Sequence, residues 1–161
     1  MDYDYLHQEI ERIQQKYALV DFNIDSECIY KLGDLSEVLK KVLTIALPEK
    51  AIQIVEYLAD DEQTYIATLS TPEAELTITA DTYSDWLPDC FWESLEEIPV
   101  VFNSSKRFYS INPAIGLTGQ DAWYFCGRED QLQAARQEGL PLLFPGENYL
   151  DTNEYRQYGG S

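Results

Sequence analysis

Apolar residues recur at helical spacing in two stretches near the N-terminus. Residues 4–17 and 34–46 both place apolar side chains three or four positions apart, with polar residues between them. Asp34 is a candidate N-cap of the second helix, and Pro48 follows its end. The sequence LVDFNI at 19–24 alternates between apolar and polar residues, which predicts a strand between the two helices.

The apolar period changes to two from Ala51 to Ala80. The runs AIQIVEYL, TYIATL and AELTITA are rich in β-branched and aromatic residues, and DDEQ and STPE separate them as turns. This pattern predicts an antiparallel meander of three strands. Its first turn brings Asp60, Asp61 and Glu62 together.

The C-terminal third of the chain is predicted to contain strands around one further helix. PVVF and RFYSI resemble strands, and AWYFC at 122–126 is followed by a helix at about 129–138, its C-cap Gly139 and the strand LPLLF. We interpret the last three elements as a β-α-β unit whose strands pair in parallel. The polar tail from about residue 147 is predicted to be loosely ordered. The whole chain, 1–161, is therefore predicted to form one α+β domain with a mixed, mainly antiparallel sheet packed against helices.

Residues 85–97, DWLPDCFWESLEE, are predicted to form an acidic helix. With a turn of about 100° per residue, the helix places five carboxylates on one arc. These are Asp85, Asp89, Glu93, Glu96 and Glu97. The apolar residues of the segment fall on the opposite side, whereas Trp86 and Trp92 fall within or beside the acidic arc.

Helix stability alone does not explain this arrangement of carboxylates. Like charges four residues apart repel each other by roughly 0.2 to 0.5 kcal/mol per pair. Glu96 and Glu97 also lie near the C-terminus of the helix, where the dipole disfavours anions. We therefore predict that the helix carboxylates, Trp86 and Trp92 bind a partner together with the acids of the meander turn. A solvated acidic face is the alternative interpretation.

The charge of the chain is concentrated in its middle third. The formal net charge is −18, and residues 51–105 contain 12 acids and no base. A field of this sign repels nucleic acids and anionic membranes and attracts a basic protein surface. We therefore expect neither direct nucleic acid binding nor membrane binding.

The pattern of histidines and cysteines excludes several kinds of catalytic site. His7 is the only histidine, so a histidine-dependent triad and a typical zinc site are not expected, and His7 is interpreted as a surface residue. Cys126 is the best catalytic candidate, because it ends a strand before a helix with Arg128 close by, although a packing role fits it better. A carboxylate pair of the glycosidase type stays open, since nothing singles out two of the 29 acids. No metal and no cofactor are predicted.

The compartment follows from the absence of export signals and from the cysteines. No apolar run is long enough to cross a bilayer, and the acidic N-terminus differs from a signal peptide. The odd number of cysteines, three at unrelated spacings, fits reduced thiols. These features predict a cytoplasmic protein.

Together these features predict an acidic binding or inhibitor protein. It would neutralise a basic partner by covering the partner's cationic site, as a bacterial immunity protein does against a nuclease-type toxin, or as an inhibitor that mimics nucleic acid does. Two alternatives are a small enzyme that uses Cys126 and Arg128 on an anionic small molecule, and a solvated acidic protein without a charge-driven partner.

Overall fold

The structure, a computed structural model, describes residues 2–84 and 86–147. In these residues it has four α-helices, which are α1 (Tyr3–Lys16), α2 (Asp34–Ala46), α3 (Asp89–Val101) and α4 (Glu129–Glu138). The strands are β1 (Val20–Asp25), β2 (Gln53–Leu58), β3 (Thr64–Ser70), β4 (Glu75–Asp81), β5 (Lys106–Ile111), β6 (Asp121–Arg128) and β7 (Leu142–Leu143). The predicted α+β class is confirmed.

The chain separates into two compact units. The first unit combines the N-terminal residues up to Asn23 with the chain from Phe108 onward, and the second runs from Ile24 to Arg107. The predicted single domain stays a prediction, and the predicted C-terminal tail lies outside the described residues from 148 onward. None of the helices in the described ranges has the length and apolar character that a bilayer crossing requires.

The second unit contains the predicted meander. Strands β2, β3 and β4 pair in sequence order, and both pairs are antiparallel. Alternation gives β3 a buried side chain at every second position, from Tyr65 through Ala67 to Leu69. Helix α2 packs on β2 and β3, and α3 packs on β4. The opposite face of the sheet is more exposed and includes Val55 and Tyr57.

Glu56 of the meander holds the N-terminus of α2. Its carboxylate accepts hydrogen bonds from the backbone N–H groups of Gly33 (2.9 Å) and Ser36 (2.8 Å) and from the Ser36 hydroxyl (2.6 Å). A carboxylate stabilises this end of a helix because unpaired N–H groups and the dipole make it positive. Asp34, the predicted N-cap, is instead the first helical residue and accepts from the backbone of the preceding turn.

The first unit has its own hydrophobic core. The inner faces of α1 and α4 and the strands that follow Phe108 contribute to one buried cluster, which includes Ile10, Ile13, Phe125 and Leu132. Its sheet has the strand order β1-β6-β5-β7.

The predicted parallel pairing within the β-α-β unit is wrong. The strand, helix and strand occur in the predicted order, but β5 lies between β6 and β7, and β7 pairs with β5 in antiparallel orientation. The physical reason is that β5, which precedes β6 in the chain, already occupies that edge of β6. Since β1 occupies the other edge of β6, the returning strand pairs with β5 instead.

Helix α3 begins at Asp89, four residues later than predicted, and continues to Val101. Leu87 precedes a proline, which disfavours the helical conformation at that residue, and Pro88 becomes the N-cap with extended backbone angles. Trp86 therefore precedes the helix, and its predicted place on the helix wheel was wrong. Asp85 lies outside the described residues.

Candidate protein-binding surface

No ion pair between described residues involves the base-free segment 51–105. The pairs are Arg12 with Glu9 and Glu138, Lys16 with Glu138, Lys40 with Glu37, Arg128 with Asp130 and Arg136 with Glu147. Five acids elsewhere in the described chain, Glu9, Glu37, Asp130, Glu138 and Glu147, thus lie beside bases that offset their charge. The acidic segment has no such compensation within the part of the chain that the structure describes.

Most carboxylates of the acidic segment point to solvent. Seven are exposed and form neither a hydrogen bond nor an ion pair with any described residue. They are Asp60, Glu62, Glu73, Glu75, Asp89, Glu93 and Glu97. Such groups are fully hydrated and are available to an incoming cation.

Helix α3 presents three of these exposed carboxylates as one ridge. Asp89, Glu93 and Glu97 are four residues apart, so they lie on neighbouring turns over about 12 Å of helix axis. The opposite face of the helix buries Phe91 and Leu95. The ridge is the part of the predicted acidic arc that the structure retains.

Glu96 does not belong to this ridge. Its side chain is half-buried, and burial raises the pKa of its carboxyl to about 8, with the nearby Glu93 charge adding to the rise. Glu96 lies three positions before Pro99, which is buried, and residues at that spacing are neighbours on a helix. Glu96 is therefore partly shielded from solvent, unlike Asp89, Glu93 and Glu97. Because its pKa exceeds 7, Glu96 is mostly neutral at pH 7.

Asp61 has a structural role in the meander turn. Its carboxylate accepts hydrogen bonds from the backbone N–H groups of Gln63 and Thr64, both at 2.9 Å, and from the Thr64 hydroxyl at 2.6 Å. These bonds, with one from Tyr83, hold the pKa of Asp61 well below its usual range. Asp61 therefore shapes the turn, and Asp60 and Glu62 are its free carboxylates.

The structure brings the meander turn and the segment before α3 together. The Tyr83 hydroxyl donates to Asp61 at 2.6 Å, and both the backbone N–H and the hydroxyl of Thr82 donate to the carbonyl of Gln63. The two predicted acidic sites are thus joined through residues 82–84, which lead directly to Trp86.

The two tryptophans differ in their surroundings. Trp86 is 55% exposed and is held through its backbone by the Ser84 hydroxyl. Trp92 is half-buried, donates its ring N–H to the Leu87 carbonyl at 3.3 Å and packs edge-on against Phe91. Trp86 is consequently the tryptophan that a partner can contact, whereas Trp92 mainly stabilises the helix.

Two exposed tyrosines at this surface were not predicted as site residues. Tyr83 is 63% exposed beside the turn, and Tyr57 lies on the outer face of β2 opposite Ile66. Alternation within QIVEYL could have indicated Tyr57, because it puts Tyr57 on the face opposite Glu56. Nothing local in the sequence indicates the contact between Tyr83 and Asp61, since they are 22 residues apart.

The sequence candidates for catalysis occupy ordinary structural positions. Cys126 is buried in β6 with 3% of its surface exposed, and the Arg128 guanidinium pairs with Asp130 at 3.1 Å. His7 is exposed on α1 and its ring lies 5.8 Å from that of Trp123. No group of three or more potential metal ligands is brought together within the described residues.

These environments predict different cysteine reactivities. We expect iodoacetamide to modify exposed Cys90 at a rate typical of a free thiol, and Cys126 far more slowly in the folded protein because its side chain is buried. Burial also raises the pKa of Cys28 to about 11, which should keep it unreactive near neutral pH. Mass spectrometry of peptides after timed labelling measures the three rates. Rapid, selective labelling of Cys126 would instead favour the enzyme hypothesis.

Comparisons of the chain with protein-family models, with curated proteins and with solved structures found no match.

Proposed function

We propose that the protein binds a basic protein and covers its cationic site. The observation that carries this proposal is the set of seven exposed carboxylates in the base-free segment, none of which pairs with a described residue. Mutual repulsion between such charges destabilises the isolated protein, and a cationic partner would relieve it.

The mechanism of binding is electrostatic attraction followed by docking of aromatic side chains. The ridge of α3 and the turn carboxylates Asp60 and Glu62 attract lysines and arginines that would otherwise hold phosphates. Trp86 and Tyr83 lie beside these charges and offer large apolar surfaces with few rotatable bonds. Exposed aromatics rimmed by charge have the composition of a protein interface, where such residues supply much of the binding energy.

A nuclease or another nucleic-acid-binding protein is the partner class that best fits this chemistry. Its phosphate-binding site is necessarily cationic, so an acidic protein that covers the site also blocks its activity. An immunity protein against a nuclease-type toxin has this mode of action. Cytoplasmic localisation is part of the proposal, and three cysteines without a disulfide fit a reducing compartment.

The proposal predicts a salt-sensitive complex. A pull-down at low salt from the source cell, eluted at high salt, should recover a basic protein. The double variant Asp89→Asn with Glu93→Gln should then associate with it several-fold more slowly at low salt, because it removes two charges from the ridge. Stopped-flow mixing at several salt concentrations measures the association rate.

A matched control separates this ridge from the net charge of the protein. The double variant Asp4→Asn with Glu11→Gln removes the same charge from exposed positions on α1. It should change the rate much less, because these positions lie outside the base-free segment that is proposed to face the partner. Equal rates for both variants, or no loss of rate in the ridge variant, would show that the ridge does not face the partner.

A further inference from the structure

A small pocket opens within the second unit, beside the surface proposed to bind the partner. Its volume is about 290 Å³. One wall is the loop after β1, which includes Ser26, Glu27 and Tyr30, and the other is the segment after β4 with Ser84. The second wall also contains Asp81 at the end of β4. This wall continues into the residues that join the meander turn to Trp86.

The lining of the pocket is suited to a cation. Glu27 and Asp81 contribute carboxylates, and no lysine or arginine is among the described residues that line it. Asp81 accepts one hydrogen bond, from the backbone N–H of Tyr83 at 2.8 Å, so acceptor capacity remains on its second oxygen. The pocket is therefore negatively charged without an internal counterion.

Ser26 gives a second, independent indication that the pocket is incomplete. Its side chain is only 6% exposed, and its hydroxyl has no hydrogen-bond partner among the described residues. Buried hydroxyls without partners are rare, because leaving one unpaired costs about 1 to 3 kcal/mol. A bound donor would satisfy the Ser26 oxygen.

Tyrosine side chains complete the site. The hydroxyl of Tyr65 donates to the carbonyl of Tyr30 at 3.1 Å, which fixes the backbone of the loop. The Tyr30 side chain remains 74% exposed at the pocket. An aromatic face attracts a lysine ammonium or an arginine guanidinium, and two carboxylates strengthen that attraction.

We propose that this pocket receives one lysine or arginine side chain of the basic partner. The inference rests on the proposed function, and it assigns a specific anchor to what is otherwise a diffuse electrostatic surface. The size of the pocket agrees, because its volume lies just below the roughly 300 to 1,000 Å³ found for drug-sized ligands. A single extended side chain needs less space than such a ligand.

The pocket can be tested without the partner. Butylammonium and butylguanidinium ions reproduce the ends of lysine and arginine side chains, and butanol is the neutral control. In ¹⁵N NMR titrations of the whole protein we expect saturable shifts centred on Ser26, Glu27, Asp81 and Ser84 with the cations and not with butanol. Shifts that spread evenly over the exposed acids without saturation would overturn the proposal.

Paired variants test the same pocket in the complex. Glu27→Gln with Asp81→Asn should abolish the saturable shifts and weaken partner binding about tenfold. Asp4→Asn with Glu11→Gln removes the same charge from exposed positions on α1, outside the acidic segment, and should do neither. Ser26→Ala should weaken binding of both cations without lowering Tm, since no hydrogen bond is lost and an unpaired buried hydroxyl is removed.

The outcomes distinguish the two proposals. If the small cations bind in the pocket but no basic protein is recovered, the proposed function fails and the cation site stands alone. If a basic protein binds but the pocket variants match their control, the proposed function stands and the anchor is wrong.

Discussion

Trp86→Ala should release the basic partner about 30-fold faster, a loss of about 2 kcal/mol of binding free energy. Trp86 is exposed, lies directly before the acidic ridge and is next to the residues that bind the meander turn. A tryptophan at the centre of an interface becomes fully desolvated, whereas the surrounding charges mainly affect the association rate. Surface plasmon resonance measures the two rate constants separately.

The fold should tolerate this replacement. Since the Trp86 side chain is mostly in water, its removal should change the free energy of unfolding by no more than about 0.5 kcal/mol. Tyr5→Ala is the control, because Tyr5 is an equally exposed aromatic outside the acidic segment. If both variants dissociate at the wild-type rate, Trp86 is not an anchor and the interface lies elsewhere on the acidic surface.

Glu96→Gln should stabilise the protein by on the order of 4 kcal/mol at pH 8 and by only about 1 kcal/mol at pH 5. The pKa of Glu96 is about 8 in the folded protein, against about 4.3 for an unfolded glutamate. The folded state therefore holds the proton to higher pH than the unfolded state does. Wild-type stability falls as pH rises from about 4.3 to about 8, because the unfolded glutamate ionises over this range while the half-buried carboxyl keeps its proton.

Urea unfolding of both proteins at several pH values measures this difference. Glu97→Gln is the matched control, since Glu97 is exposed on the same turn and its removal relieves only general repulsion. The Glu96 variant should gain stability progressively above pH 5 relative to the Glu97 variant. A difference that does not depend on pH would show that Glu96 titrates like an exposed acid.

Glu96 also bears on why the segment is so acidic. A half-buried carboxyl beside Glu93, with no described ion pair, destabilises the fold. Glutamine at this position would keep the shape and avoid the cost. Stability therefore does not account for a glutamate at this position.

The sequence by itself determined helices α1, α2 and α4, the meander and the segregation of charge. Helix α3, by contrast, starts later than predicted and continues through Pro99 to Val101, part of the segment PVVF predicted as a strand. The stripe of apolar residues on α2 and the alternation of buried and less buried residues on β3 are local patterns. Each element buries one face, so its apolar residues recur with the period of a helix or of a strand. The absence of bases from 51 to 105 is likewise a property of the chain and needs no structure to be recognised.

Only the tertiary structure decided which acids are available for binding. Glu56 is hydrogen-bonded to the N-terminus of α2, and Asp61 is hydrogen-bonded within its own turn and to Tyr83. Glu96 is half-buried on α3, which raises the pKa of its carboxyl. The tertiary structure also leaves Trp86 exposed, whereas Trp92 donates a hydrogen bond to Leu87 and is packed. The physical reason is that exposure and pKa depend on neighbours distant in the chain, whereas periodicity reports only which side of an element faces inward.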